Sequence, residues 1–165
     1  MVNDTREILF KAKRLDNGEW VEGYVFDDGF IDSTRRFIGN IIISDYKGNA
    51  DGKWEILGTD FCEVNPETIC QFTGLTDKNG KKIWENDICF ALLVPTRKGF
   101  KDEKEICVIR YGRREENFKI ELGFWLEWMK TNYWRTDIGF WTENRELEVI
   151  GNIFDNPELL KGGSE

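Results

Sequence analysis

Histidine is missing from this 165-residue sequence, and its absence excludes several kinds of chemistry. Without an imidazole there is no histidine general base, no Ser-His-Asp or Cys-His nucleophile and no histidine-ligated metal site. A Cys-x-x-Cys pair is missing as well, and the four cysteines stand well apart, at Cys62, Cys70, Cys89 and Cys107. We predict free, buried thiols here instead of a disulfide or a metal site, because a free cysteine behaves as a small hydrophobic side chain.

The sequence also lacks a long hydrophobic run. Its longest uncharged apolar stretch, residues 88–95, is far shorter than the ~20 residues that span a bilayer. Residues 1–7 lack the apolar core of a signal peptide. We therefore expect a protein that stays inside the cell that makes it and has no membrane contact.

Positive charge is in deficit, with 23 Lys and Arg against 31 Asp and Glu and a formal net charge of −8. Nucleic-acid binding draws most of its affinity from clustered Lys and Arg that neutralise phosphates, so this balance disfavours a nucleic-acid partner. Basic residues do cluster at residues 97–101 and 110–114, but acids follow both stretches closely. We predict solvated turns at both places, with a phosphate site as the alternative.

Hydrophobic residues make up 40% of the sequence and aromatic residues 14%. This is enough to build the core of one compact domain or of two small lobes. Four Asn-Gly or Asp-Gly pairs stand beside apolar runs, which is the strongest short-range signal for hairpins. The sequence therefore predicts a mostly β, hairpin-built fold. Pro66 marks the predicted boundary between an N-terminal β lobe, residues 1–66, and a second lobe, residues 67–165, with an exposed loop inserted at residues 95–104. We expect the two lobes to share one core.

Residues 74–90 form the predicted centre of the second lobe. Asp77, Asn79 and Gly80 suit a tight turn, and although they are similar to the start of a calcium loop, the later ligands of such a loop are missing. Asn86 stands where a second turn needs positive φ, and residues 88–94 predict a central strand covered on both faces. At the C-terminus, Asn156 as N-cap before Pro157 predicts one short helical turn.

Three blocks of sequence together resemble the YopX family of phage and prophage proteins: REILFKA at residues 6–12, QFTGLTDKNGKKIWENDI at residues 71–88, and EVIGNIFDNPELL at residues 148–160. The sequence departs from the family pattern at Asn86, where the family usually has Gly, and at Asn65, where it usually has Asp. The resemblance implies a phage or prophage origin, a bacterial cytoplasmic location and an SH3-like barrel in the second lobe. It implies no established activity and so supplies no catalytic residues.

Aromatic residues crowd the stretch from Trp125 to Trp141. Apolar residues occupy every even position from 118 to 128, a period of two that predicts a long, bent strand or a hairpin. If this alternation puts Phe124, Leu126 and Trp128 inward, Trp125 faces outward, and an exposed Trp commonly marks a protein contact. Core packing is the default expectation for these aromatic residues. Against it we set the hypothesis that Trp125, with Trp134 or Trp141, forms a patch for self-association or for a host or phage protein.

The first functional hypothesis is therefore a non-enzymatic protein that binds another protein or itself, without cofactor or metal. A nucleic-acid-linked accessory protein is a second hypothesis, resting only on analogy with SH3-like barrels. A carboxylate-dependent hydrolase is a third, using acids such as Glu143, Glu146 and Glu148. Charges beside a strand more often form a solvated face, which argues against this third hypothesis.

Overall fold

The computed structural model of the chain describes residues 7–43, 56–93, 103–116, 119–130, 136–143 and 147–161. This part is mostly β, in antiparallel sheets, which confirms the predicted fold class at that level. The chain divides into two compact units, Met1–Gln71 and Phe72–Glu165, hereafter unit 1 and unit 2. Most of the loop predicted at residues 95–104 lies outside the described residues. None of the helices in the described ranges is long and apolar enough to cross a membrane.

Unit 1 is an antiparallel meander in which each strand pairs with the next along the chain. Its strands are β1 (Phe10–Lys13), β2 (Trp20–Phe26), β3 (Arg36–Ile43) and β4 (Ile56–Val64), in the order β4-β3-β2-β1. Gly18 and Gly29 have φ of 73° and 75° in the turns that the Asn-Gly and Asp-Gly pairs predict. Ala12, Ile38 and Val64 are fully buried at the centre of this unit.

Strand β5 begins in unit 1 and continues into unit 2, where it pairs with β6; the other strands of unit 2 form a four-stranded sheet in the order β10-β7-β8-β9. The bounds are β5 (Cys70–Thr76), β6 (Lys82–Trp84), β7 (Asp87–Leu93), β8 (Glu103–Glu116), β9 (Lys119–Trp128) and β10 (Leu147–Asn152). Strand β7 is central in this sheet, and Ile88, Cys89 and Ala91 are fully buried, as the apolar run predicts. Neither sheet closes into a barrel within the described ranges.

Two short helical segments accompany this sheet. Helix α1 (Ile138–Glu143) places Ile138 and Trp141 in the core of unit 2. The predicted C-terminal turn is a 3-10 helix, Pro157–Leu160. Asn156 precedes it, but its side chain makes no cap bond; it accepts a hydrogen bond from the Asn152 N–H instead, at 3.3 Å.

Asp77 does more than shape a turn. Its Oδ1 accepts hydrogen bonds from the N–H groups of Asn79 and Lys81, at 2.8 and 2.9 Å, while its Oδ2 accepts one from Val149 of β10, at 3.0 Å. The side chain is buried, and burial alone would raise the pKa of Asp77. The donors at Val149, Lys81 and Asn79 outweigh burial and hold the pKa of Asp77 below its ordinary value. Asp77 therefore fastens β10 to the turn.

Asn86 has φ of 65°, which confirms the positive φ predicted there. Its backbone N–H donates to the Ile109 carbonyl at 2.8 Å, and its carbonyl accepts from Ile153 N–H at 3.1 Å. Its Oδ1 accepts a hydrogen bond from Arg110 Nη1 at 2.8 Å. Asn tolerates the left-handed region better than other non-glycine residues, and here its amide also links the turn to β8.

We expect Asn86→Ala to lower the free energy of unfolding by about 2 kcal/mol, because alanine tolerates the left-handed backbone less well than asparagine and because the bond to Arg110 is lost. Asn86→Gly removes the same bond without the strain, so its loss should be about 1 kcal/mol. Urea unfolding followed by tryptophan fluorescence measures both losses. Equal losses for the two variants would show that backbone strain at this position has no energetic weight.

The cysteines agree with the prediction of free thiols. Cys70, Cys89 and Cys107 are buried, Cys62 is half-buried, and none of these four described residues takes part in a disulfide. Cys89 and Cys107 lie opposite each other on β7 and β8, and the Cys107 thiol donates to the Cys89 carbonyl at 3.7 Å. Burial raises the pKa of both of these thiols far above the ordinary value, which keeps them protonated and unreactive.

Candidate protein-contact site

Strands β8 and β9 extend past β7 as a two-stranded ribbon. Among the described residues, positions 109–116 of β8 pair only with β9. One face of the ribbon begins in the core with the buried pair Ile109 and Leu126 and continues outward to Tyr111 beside Phe124. Further out, Leu122 and Ile120 are 72% and 60% exposed. An apolar stripe thus runs from the core of unit 2 into solvent.

Trp125 lies on the opposite face of β9. Leu126 is buried, and Phe124 and Trp128 pack against the core, which confirms the inward direction predicted for these three residues; Ile120 and Leu122 on the same face are exposed. Trp125 is half-buried and pairs in register with Arg110 of β8. The Arg110 guanidinium is itself held by Glu127, whose Oε2 lies 2.7 Å from Arg110 Nε.

The edge segment, residues 136–137, lies along the outer edge of β9 directly before α1. The Leu126 N–H donates to the Thr136 carbonyl at 2.9 Å, and Trp125 and Asp137 form an antiparallel bridge. Asp137 then begins the helix, because its Oδ1 accepts a hydrogen bond from Gly139 N–H at 2.8 Å. This edge segment brings residues of α1 next to Trp125.

An open cleft of about 760 Å³ lies at this place, which we call the Trp125 cleft; it is lined by Arg114, Glu121, Phe124, Trp125, Thr136, Asp137, Gly139, Phe140 and Glu143. Its walls combine aromatic rings with charged side chains. Arg114 donates to Thr136 Oγ1 and, at 3.2 Å, to Glu121 Oε2. It is the one basic side chain among the described lining residues, against the three carboxylates of Glu121, Asp137 and Glu143.

The three tryptophans predicted to make the contact have different environments. Trp125 lines the cleft. Trp141 is only 2% exposed and packs in the core, with its ring 5.3 Å from those of Trp128 and Phe140. Trp141 therefore has no surface to offer a partner, and core packing, the default expectation for this aromatic stretch, accounts for it. Trp134 lies outside the described residues.

The charged walls of the cleft were not anticipated from the sequence. Arg114 and Glu121 meet only because β8 and β9 pair in this register, and Asp137 arrives through the edge segment. The prediction of a solvated turn at residues 110–114 is wrong, because these residues pair with β9. This stretch lies within β8, where Glu127 and Glu121 match the charges of Arg110 and Arg114. The other basic stretch, residues 97–101, lies outside the described residues.

The structure describes two of the three acids that the hydrolase hypothesis invokes. Glu143 is exposed in the cleft, and Glu146 lies outside the described residues. Glu148 on β10 bonds to Lys78, and this hydrogen bond lowers the pKa of Glu148. A general acid needs a raised pKa, so Glu148 does not suit that role. In the described part of the chain, no three Cys, Asp or Glu side chains are grouped to hold a metal ion.

Fold and cleft together define a mostly β protein that carries an open, aromatic and acidic cleft on its second unit. The chain belongs to the YopX family: the family model described as YopX protein matches residues 10–161. The crystal structure of protein EF1440 from Enterococcus faecalis is similar, with a TM-score of 0.54 and 26% sequence identity over 94% of this chain and 99% of that chain. None of the curated proteins matches the sequence. The family resemblance of the three sequence blocks is thereby confirmed.

Proposed function

We propose that this protein is a non-enzymatic binding module that holds a partner protein in the Trp125 cleft. The observation that carries the proposal is the position of Trp125, half-buried on the outward face of β9 at an opening of about 760 Å³. Phe124 and Phe140 line the same opening. Aromatic side chains in partly enclosed positions supply much of the binding energy of protein interfaces.

The apolar stripe on the ribbon supports the same proposal. Tyr111, Ile120 and Leu122 are 43%, 60% and 72% exposed, and they follow one another on one face of β8 and β9. Contiguous exposed apolar surface is uncommon on monomeric proteins and often marks a contact surface. The stripe and the cleft share Phe124, so a single partner reaching across β9 contacts both.

The family resemblance adds three further parts to the proposal. We infer a phage or prophage origin and a location in the cytoplasm of the bacterial host, as that resemblance implies. We also infer that unit 2 is related to an SH3-like barrel. The antiparallel meander of β7, β8 and β9 around one core supports this last part, because such barrels are built from strongly bent meanders.

Trp125→Ala tests the contact. A central aromatic contact is typically worth 2 kcal/mol or more, so the variant should bind its partner about 30-fold more weakly. Native protein and variant serve as baits in host lysate, and a captured protein is then purified and titrated by calorimetry. Light scattering detects the case in which the partner is a second copy of the chain.

Trp20→Ala is the matched control. Trp20 is also a half-buried tryptophan on a strand, but it lies in unit 1, with Lys11 and Lys13 over its ring. We expect this control to bind the purified partner as the native protein does. Equal binding by native protein and Trp125→Ala, with circular dichroism showing both folded, would remove the basis of the proposal.

A further inference from the structure

The charges of the described residues that line the Trp125 cleft are unbalanced. The carboxylates of Glu121, Asp137 and Glu143 line it, and Arg114 is the one basic side chain among the described lining residues. That guanidinium is already bonded to Glu121 and Thr136, so it balances one carboxylate within the wall. One oxygen of Asp137 is used at the start of α1 by Gly139 N–H. The remaining negative potential of Asp137 and Glu143 favours a cationic occupant.

The aromatic wall favours the same occupant. The face of a tryptophan ring attracts a cation more strongly than that of any other side chain, and Trp125 borders the opening beside Asp137. The chain itself provides an example of this contact, since the ammonium groups of Lys11 and Lys13 lie 5.1 and 5.5 Å from the centre of the Trp20 ring. A guanidinium suits the cleft best because it stacks on a ring while its edge donates to carboxylates.

Other occupants fit these walls less well. A phosphate or an acidic peptide would face three carboxylates. A purely apolar segment would leave the charges of Asp137 and Glu143 without a partner while it removes water from them. A second copy of the chain carries a net charge of −8 and approaches against long-range repulsion.

The structure assigns the Trp125 cleft to a basic segment of a partner protein, in which an arginine or lysine side chain stacks on Trp125 and meets the carboxylates of Asp137 and Glu143. This assignment rests on the proposed function, because it names the chemistry of the partner that the binding module holds. Apolar neighbours of the basic residue would pack on Phe124 and Phe140. Association should weaken as salt is added, since the attraction depends partly on charge.

Two synthetic peptides test whether binding depends on the positive charge of the arginine side chain. The first is acetyl-Gly-Leu-Arg-Leu-Gly-amide, and the second is the same peptide with citrulline, a neutral group of nearly the same shape, in place of arginine. Each is titrated into isotopically labelled native protein and followed by amide chemical shifts. The arginine peptide should shift residues 124–125 and 136–140 and bind at least about tenfold more tightly than the citrulline peptide. Equal binding of the two, or no shifts with either, overturns the assignment.

The double variant Asp137→Asn with Glu143→Gln removes two negative charges from the cleft and keeps the shape of both side chains. Asn is as good an N-cap as Asp, so the bond from Gly139 and the start of α1 should persist. We expect the double variant to bind the arginine peptide at least about fivefold more weakly and the citrulline peptide unchanged. Glu158→Gln, an exposed acid on the C-terminal 3-10 helix, is the matched control and should change neither. An unchanged affinity of the double variant for the arginine peptide overturns the assignment.

Binding of the purified partner by Trp125→Ala and by the double variant distinguishes a failure of this assignment from a failure of the proposed function. Loss of binding in both Trp125→Ala and the double variant supports both. Loss in Trp125→Ala alone shows that the cleft binds a protein whose recognition does not depend on a basic side chain, which overturns the assignment and leaves the proposed function in place. Binding that neither variant weakens overturns both.

Discussion

Replacing Asp77 by asparagine should lower the free energy of unfolding of unit 2 by about 3 kcal/mol. The native carboxylate accepts three backbone hydrogen bonds, two on Oδ1 and one on Oδ2, and is only 6% exposed. The amide keeps one carbonyl oxygen for Asn79 and Lys81 but turns an NH₂ group toward the Val149 N–H. Two donors then face each other in a buried place, and β10 loses its link to the turn.

Asp137→Asn is the matched control for this substitution. Asp137 lies in the same unit and also accepts a backbone hydrogen bond through Oδ1, but it is exposed, and its donor is the N–H of Gly139, only two residues further along the chain. Its loss should stay within about 0.5 kcal/mol, because asparagine caps helices as well as aspartate. Urea unfolding measures both variants by tryptophan fluorescence, which reports mainly on unit 2, since that unit holds five of the seven tryptophans. A similar loss in the two variants would contradict the role assigned to Asp77.

The same carboxylate predicts how stability depends on pH. The pKa of Asp77 is lower in the folded protein than the ordinary value near 4 that it has when unfolded, and the pKa of Glu148 is lowered by Lys78. The folded state therefore binds fewer protons, so this stabilisation is fully present above about pH 5 and is lost as the pH falls through the folded pKa values. In Asp77→Asn, the free energy of unfolding should depend less on pH in this acid range. Amide hydrogen exchange in the variant should speed up more at Val149 than at other residues.

The sequence predicts best those features that depend on a few neighbouring residues. The alternation from 118 to 128 predicts β9 and the outward face of Trp125, because side chains of a strand alternate whatever the strand pairs with. The positive φ of Asn86 follows from its place in a tight turn. The apolar run of β7 likewise indicates a strand covered on both sides.

The walls of the candidate site depend on distant partners, and no local pattern encodes them. Arg114 meets Glu121 because β8 continues to Glu116, whereas the charges at residues 110–114 alone suggested a turn. Helix α1 has six residues, too few for a helical period to emerge from the sequence. Its place against the core decides that Trp141 is buried, while the edge segment before it sets Asp137 beside Trp125. The burial of Trp141 therefore depends on a tertiary contact that no local pattern shows.

Trp141→Ala should lower the free energy of unfolding by about 3–5 kcal/mol, the range typical of a large aromatic side chain removed from a core. Trp141 packs edge-on against Trp128 and Phe140 and belongs to the cluster that holds Ile109 and Leu126. Deleting the indole leaves a cavity and removes the side chain that fastens α1 to the sheet. Trp141→Phe keeps part of the ring, so its loss should be smaller, about 1–3 kcal/mol.

Comparison with Trp125→Ala separates a core tryptophan from a contact tryptophan. Trp125 is half-buried, so its truncation should cost about 1 kcal/mol of stability while it weakens partner binding strongly. Trp141→Phe should show the reverse pattern: a measurable loss of stability, with partner binding unchanged under conditions where the variant is folded. If Trp141→Phe weakens binding as much as Trp125→Ala does at full folding, then Trp141 reaches the partner, and the packing that places it in the core does not describe the bound state.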